Sequence, residues 1–193
     1  MAAEEVGMDL HRRLEQGMVK ASQSLLRTLN DIADEMYKLH STPWAWGAKS
    51  ENLFTRTGGG LKSIRDSIKM NPGANMIEGQ ISTGSLTVHE TGATITPKTS
   101  KYLTIPLQAA MDSRGVALRS KARDWDNTFI ARSKRGNLII FRKNTGGTIT
   151  PLYVLKTSVV IPPRLRLGQT FDKMVSRFEA QAMNDFEVAL NGK

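Results

Sequence analysis

Residues 128–161, TFIARSKRGNLIIFRKNTGGTITPLYVLKTSVVI, decide the fold. Two runs rich in β-branched and aromatic residues, Thr128 to Ser133 and Asn137 to Lys143, flank Lys134-Arg135-Gly136. Such residues favour a pleated, half-buried backbone, and a short turn ending in glycine closes a hairpin. A further strand is expected over 148–160, and Pro162-Pro163 ends it because proline supplies no ladder donor. Short connections between strands make the sheet antiparallel.

Upstream, Thr94 to Thr96 and Lys101 to Leu107 read as short strands. Met76 to Ser82 and Ser85 to Glu90 read as a hairpin about Thr83-Gly84. Residues 108–127, QAAMDSRGVALRSKARDWDN, have no clear period and read as a long basic loop or arm. Residues 42–60 form a loop holding Pro43-Trp44-Ala45-Trp46 and Gly58-Gly59-Gly60.

Helices frame this middle. Leu10, Leu14, Met18, Ala21, Leu25, Leu29, Ile32 and Met36 recur at steps of three or four, predicting a helix from Asp9, its N-cap, to about residue 40. A short helix carries Leu61, Ile64 and Ile68 and stops at Asn71-Pro72-Gly73. A last helix, from Thr170 as N-cap to a stop at Asn191-Gly192, puts Phe171, Met174, Phe178, Ala182, Phe186 and Ala189 on one face.

The expected class is α+β: a long N-terminal helix, a short second helix, an antiparallel, mostly meandering sheet with a long basic loop, and a C-terminal helix packed on the sheet. The chain is read as a single domain in three parts. They are an N-terminal helix (1–42), an α+β core (43–168) with its extended basic loop at 108–127, and a C-terminal helix (169–193). The first helix, roughly 45 Å long, exceeds what a small sheet covers. Leu25, Leu29, Ile32 and Met36 are therefore expected at a subunit interface, and Trp44 and Trp46 either there or as anchors of their loop under the sheet, with the loop anchor preferred for Trp44 and Trp46 open between the two.

The 193 residues carry a net charge of +9 and no cysteine. Disulfides, thiolate metal sites and cysteine nucleophiles are excluded. No run reaches the roughly 18 apolar residues of a membrane helix, and MAAEEVGMDL lacks the apolar core of a secretory signal. Residues 101–163 alone carry +8. Arg119, Lys121 and Arg123 alternate ahead of Trp125, and Arg132, Lys134, Arg135, Arg142 and Lys143 cluster on the hairpin. This spacing can follow phosphates or meet an acidic partner, with Trp125 free to stack. No sequence-reading motif accompanies them.

Catalytic patterns are absent. His89-Glu90 lacks the second histidine of H-E-x-x-H, since position 93 is Ala. Gly58-Gly59-Gly60-Leu61-Lys62-Ser63 has the wrong spacing for a phosphate loop. Asp124 and Asp126 lie within basic sequence, where surface pairing is expected. No enzyme activity, catalytic residue, metal or cofactor is expected.

Four segments together resemble the tail-completion or neck proteins of tailed phages, also grouped as virion morphogenesis and minor tail proteins. Pro43-Trp44 follows a long first helix. Thr57-Gly58 precedes Leu61 and Ser67-Ile68. His89-Glu90-Thr91-Gly92-Ala93-Thr94-Ile95-Thr96-Pro97-Lys98 leads to Lys101-Tyr102-Leu103-Thr104-Ile105-Pro106-Leu107. Pro151-Leu152-Tyr153-Val154-Leu155-Lys156 is followed by Val159 to Arg164. Together they cover most of residues 43–166, with Thr91 standing where an aromatic is often found. The resemblance implies a structural virion protein of the neck or upper tail, assembled in the host cytoplasm. It would form a homo-oligomeric ring of six or twelve subunits around the DNA path, beside neighbouring neck and tail-tube proteins and in non-specific contact with genomic DNA. The basic composition alone leaves an alternative, a non-specific DNA-binding protein acting outside a virion.

Overall fold

The computed structural model describes residues 2–47, 49–72 and 76–191. Gly73 and Gly192 lie outside the described residues, but the short helix already ends at Asp66, so Ile68 falls beyond it and Asn71-Pro72, expected to stop it, lie in a strand. The class is α+β. The chain forms two compact units, and each draws on segments distant in sequence: residues 1–39, 58–90 and 165–193 in one, 40–57 and 91–164 in the other. The three-part division at 42 and 168 follows chain order, whereas the units follow contact, so the two terminal helices belong together.

The first unit is built on α1 (Ala2–Leu39) and α4 (Leu167–Asn191). They run antiparallel. In the first half of α1, Gly17 faces Phe186 and Ala189 near the end of α4, and a Cβ on Gly17 would lie 2.7 Å from the Phe186 ring. Arg13 Nη1 donates to the Leu190 carbonyl at 3.2 Å, which satisfies one of the helix's terminal acceptors. At the other end, Glu35 and Leu39 flank Thr170 and Met174. The apolar face expected on the last helix is its inward face, with Ala189 buried and Phe171, Met174, Phe178, Ala182 and Phe186 half-buried.

α2 (Gly59–Asp66) buries Leu61 and Ile64. It is tied to α1 by an Arg65–Asp34 ion pair, and the same guanidinium lies 5.2 Å from the Tyr37 ring centre. β1 (Lys69–Pro72) and β2 (Ile77–Gln80) form an antiparallel ribbon against α1, where Gly79 faces Leu25 and Leu29. Phe171 of α4 lies beside Gly79 and Gln80, so the last helix reaches this ribbon while most of its length lies along α1.

The expected hairpin about Thr83-Gly84 is not formed. Residues 84–86 make a 3-10 turn that runs into α3 (Thr87–Thr91), and β2 pairs with β1 instead. Hydroxyl bonds explain this. Thr87 Oγ1 meets Thr83 Oγ1 at 2.7 Å and the Gly84 carbonyl at 3.2 Å, which coils a segment too short for its period to decide.

The second unit holds two antiparallel sheets. β3 (Ala93–Ile95) pairs with β8 (Val159–Ile161). β4 (Leu103–Pro106), β7 (Ile149–Lys156), β6 (Leu138–Lys143) and β5 (Thr128–Arg132) form a four-stranded sheet in that spatial order. Its β5–β6–β7 part is a meander, with a bulge at Ile140/Phe141. The strand expected over 148–160 thus divides between two sheets.

Residues 108–127 are not an open arm. Two 3-10 turns, Gln108–Ala110 and Ala122–Asp124, and a bridge between Met111 and Ala117 fold them back. Ala110 is buried with Leu152 and Tyr153, and Ala122, Trp125 and Ile140 pack against that cluster.

Candidate interaction surface

The eight basic residues do not gather into one patch. Arg132, Lys134 and Arg135 stand exposed at the tip of the β5–β6 hairpin, where Arg132 Nη1 also donates to the Gly136 carbonyl at 3.2 Å. Lys143 is exposed at the other end of β6, roughly 17 Å away at the rise of an extended strand. Arg119, Lys121 and Arg123 line a groove of about 680 Å³ across one face of the sheet.

Arg142 corrects the expectation. It is half-buried, with its guanidinium 5.5 Å from the Trp125 ring centre and its buried Nε lacking a hydrogen-bond partner. Arg119 lies 5.9 Å from the same ring. Trp125 Nε1 donates to Tyr153 Oη at 3.0 Å. Trp125 therefore pins the 108–127 segment to the sheet and is not the free stacking platform that its place after Arg123 predicted.

The interface residues divide likewise. Leu29, Ile32 and Met36 are at most 1% exposed and Leu25 is half-buried against Gly79. For Leu29, Ile32 and Met36 this corrects the expected place at a subunit interface: they form core, each worth about 1.5–3 kcal/mol of burial. The stripe emerges only at its start, where Leu10 and Leu14 are exposed, together with Met8, Val19 and Leu26 elsewhere on the helix.

Trp44 is half-buried, with its ring over Gly115, and Arg56 lies 5.7 Å from its centre. It is an internal anchor. Trp46, edge-on to Trp44 at 6.2 Å, is 49% exposed and remains available to a partner.

Residues searched for chemistry have architectural roles. Glu90 accepts from the backbone N–H groups of Leu167 (2.8 Å) and Gly168 (2.9 Å), and so caps α4 across 77 residues of sequence. Next to it, the Leu165 N–H donates to the His89 carbonyl at 2.8 Å. Thr170 is not the cap: it lies one turn inside, with its hydroxyl returned to the Arg166 carbonyl. Asp9 likewise lies inside α1, paired with Arg12 and Arg13, and the Arg12 hydrogen bond chiefly lowers its carboxyl below the ordinary value.

Asp112 Oδ1 accepts from the Arg114 and Val116 N–H groups, both at 2.9 Å, while Oδ2 meets the Arg114 guanidinium. These contacts, the Val116 N–H foremost, hold its carboxyl below the ordinary value. Asp124 Oδ2 accepts from the Lys121 N–H and the Ser120 hydroxyl, both at 3.0 Å. His40 Nδ1 accepts from the Leu53 N–H at 3.1 Å.

Two of the four segments that carry the phage resemblance, 89–107 and 151–164, pair with each other. Ala93–Ile95 pairs with Val159–Ile161, Leu103–Pro106 pairs with Tyr153–Lys156, and His89-Glu90 holds the start of α4. Among the described residues, no three histidine or carboxylate side chains come together to hold a metal ion, and no helix is long and apolar enough to cross a membrane. Comparison with family models, curated protein sequences and solved structures gave no match.

Proposed function

We propose that the chain is a structural subunit of the neck or upper tail of a tailed-phage particle. Copies of it form a ring around the DNA path, and the ring completes the tail or joins it to the head. One observation carries this reading. The carboxylates and imidazole best suited to chemistry are engaged in caps and turns, while the exposed inventory is apolar and basic. Ile130 is 60% exposed and Phe129 41% on β5, and Arg132, Lys134 and Arg135 sit at the hairpin tip beside them. Such a surface serves association better than group transfer. The pairing of two of the resembling segments supports the reading, because their motifs have a structural joint to make.

Imaging of the purified chain and of particles tests it. Rings of six or twelve copies, placed at the neck, are expected. A strictly monomeric protein absent from particles overturns the proposal. The basic excess favours one other reading, duplex-DNA binding outside a particle. That reading requires binding by the isolated chain that weakens steeply with salt.

A further inference from the structure

The groove on the sheet face has a floor and one wall of different chemistry. The floor follows a single cross-strand row. Pro106 of β4 stands opposite Tyr153 of β7, Tyr153 opposite Ile140 of β6, and Ile140 opposite Ile130 of β5. Three strand spacings make this row about 14 Å long. All four residues line the groove, and the row ends on the exposed Ile130. The wall is the segment carrying Arg119, Lys121 and Arg123. Among the described lining residues, these three are charged and none is a carboxylate. The carboxylate next to this wall in sequence, that of Asp124, is engaged by the Lys121 N–H and the Ser120 hydroxyl of its own turn.

We infer that this groove takes an extended acidic peptide segment of a partner protein, with aliphatic side chains alternating with carboxylates. An extended chain places successive side chains on opposite sides, so one set can meet the Ile130–Ile140 floor while the other faces the basic wall. A volume of about 680 Å³ is within the range of ligand clefts. Guanidinium groups bind carboxylates through paired N–H donors, which gives Arg123 a directional role beyond its charge. A single-stranded nucleic acid fits less well. Its bases need open aromatic faces, yet Tyr153 is 4% exposed and Trp125 is flanked by the guanidinium groups of Arg119 and Arg142. The inference does not depend on ring formation.

The test uses the full chain and three labelled probes, read by fluorescence polarisation in about 0.1 M salt. They are a peptide of about ten residues alternating glutamate with leucine, the same peptide with lysine for glutamate, and an oligo-dT of about twenty nucleotides. Saturable binding of the acidic peptide alone is expected. Lys121→Glu with Arg123→Glu should weaken it at least about tenfold, and Ile130→Asp should do so through the floor. Lys62→Ala, on α2, should leave it unchanged. The charge variants alter exposed side chains, so loss of folding does not confound them. Failure to bind the acidic peptide, equal binding of the lysine peptide, or affinity unchanged in both groove variants overturns the proposal. Tighter binding of oligo-dT through the same residues also overturns it and assigns the groove to nucleic acid.

Discussion

Glu90 shows how one side chain can join segments far apart. Its two oxygens take two of the four N–H groups that the start of α4 leaves without helical partners. Glu90→Ala should cost roughly 1–2 kcal/mol of stability, seen as a lower urea midpoint, whereas Thr170→Ser, which keeps the hydroxyl inside the helix, should cost less. Asp112 organises the turn that returns through Gly115, which has φ +77 and lies under the Trp44 ring. Because its folded carboxyl titrates below the ordinary 3.8, its contribution is fully present above that value and is lost as pH falls through the lower folded one. The amide NMR signals of Val116 and Arg114 should therefore shift on acidification with a midpoint below 3.8. A midpoint at or above it would mean that the turn does not hold the carboxylate.

Among elements, those with a long period were legible and those built by side-chain bonds were not. The apolar steps of α1 and α4, and the β5–β6 hairpin about Lys134-Arg135-Gly136, follow from burial on one face, which repeats in sequence. The 108–127 segment owes its order to Asp112, Asp124 and Trp125, single residues with no repeat to detect. The 83–91 segment coils through threonine hydroxyls for the same reason. Most of the proposed surface was legible too: of the eight basic residues all but Arg142 are exposed, as charge clustering implied. The burial of Arg142 and the groove floor depend on strand register, which no local pattern reveals. The same holds for Leu29, Ile32 and Met36. Periodicity found their face but could not say that α4, α2 and the β1–β2 ribbon would cover it. Helix pairing adds a prediction. Gly17→Leu should destabilise the α1–α4 pair by about 1–3 kcal/mol, because the Phe186 ring occupies that space. Calorimetry should show a lower Tm, and Gly7→Leu, with nothing within 4 Å of its added Cβ, should not.

On the scale of the whole molecule, the charge excess of residues 101–163 resolves into a hairpin tip and a groove wall that can be altered separately. In the proposed neck role, neutralising Arg132, Lys134 and Arg135 should weaken particle joining or DNA contact, measured as assembled particles and DNA delivery per infected cell. Normal particles after that change would make the tip charge no more than a solvated edge.

The pairing of α1 with α4 bears on synthesis. Arg13 meets Leu190 across 177 positions. At about 5–20 residues per second, the ribosome releases α1 several seconds before the helix that covers it exists. During that interval the apolar side of α1 has only early neighbours, α2 and the β1–β2 ribbon, and the α1 of another nascent chain is a competing partner. Co-expressing a chain ending at residue 166 with residues 167–193 as a separate peptide should recover soluble protein that the truncated chain alone does not. Synthesis of α4 thus becomes the event that covers the apolar side of α1, and until then that side stays open to other partners.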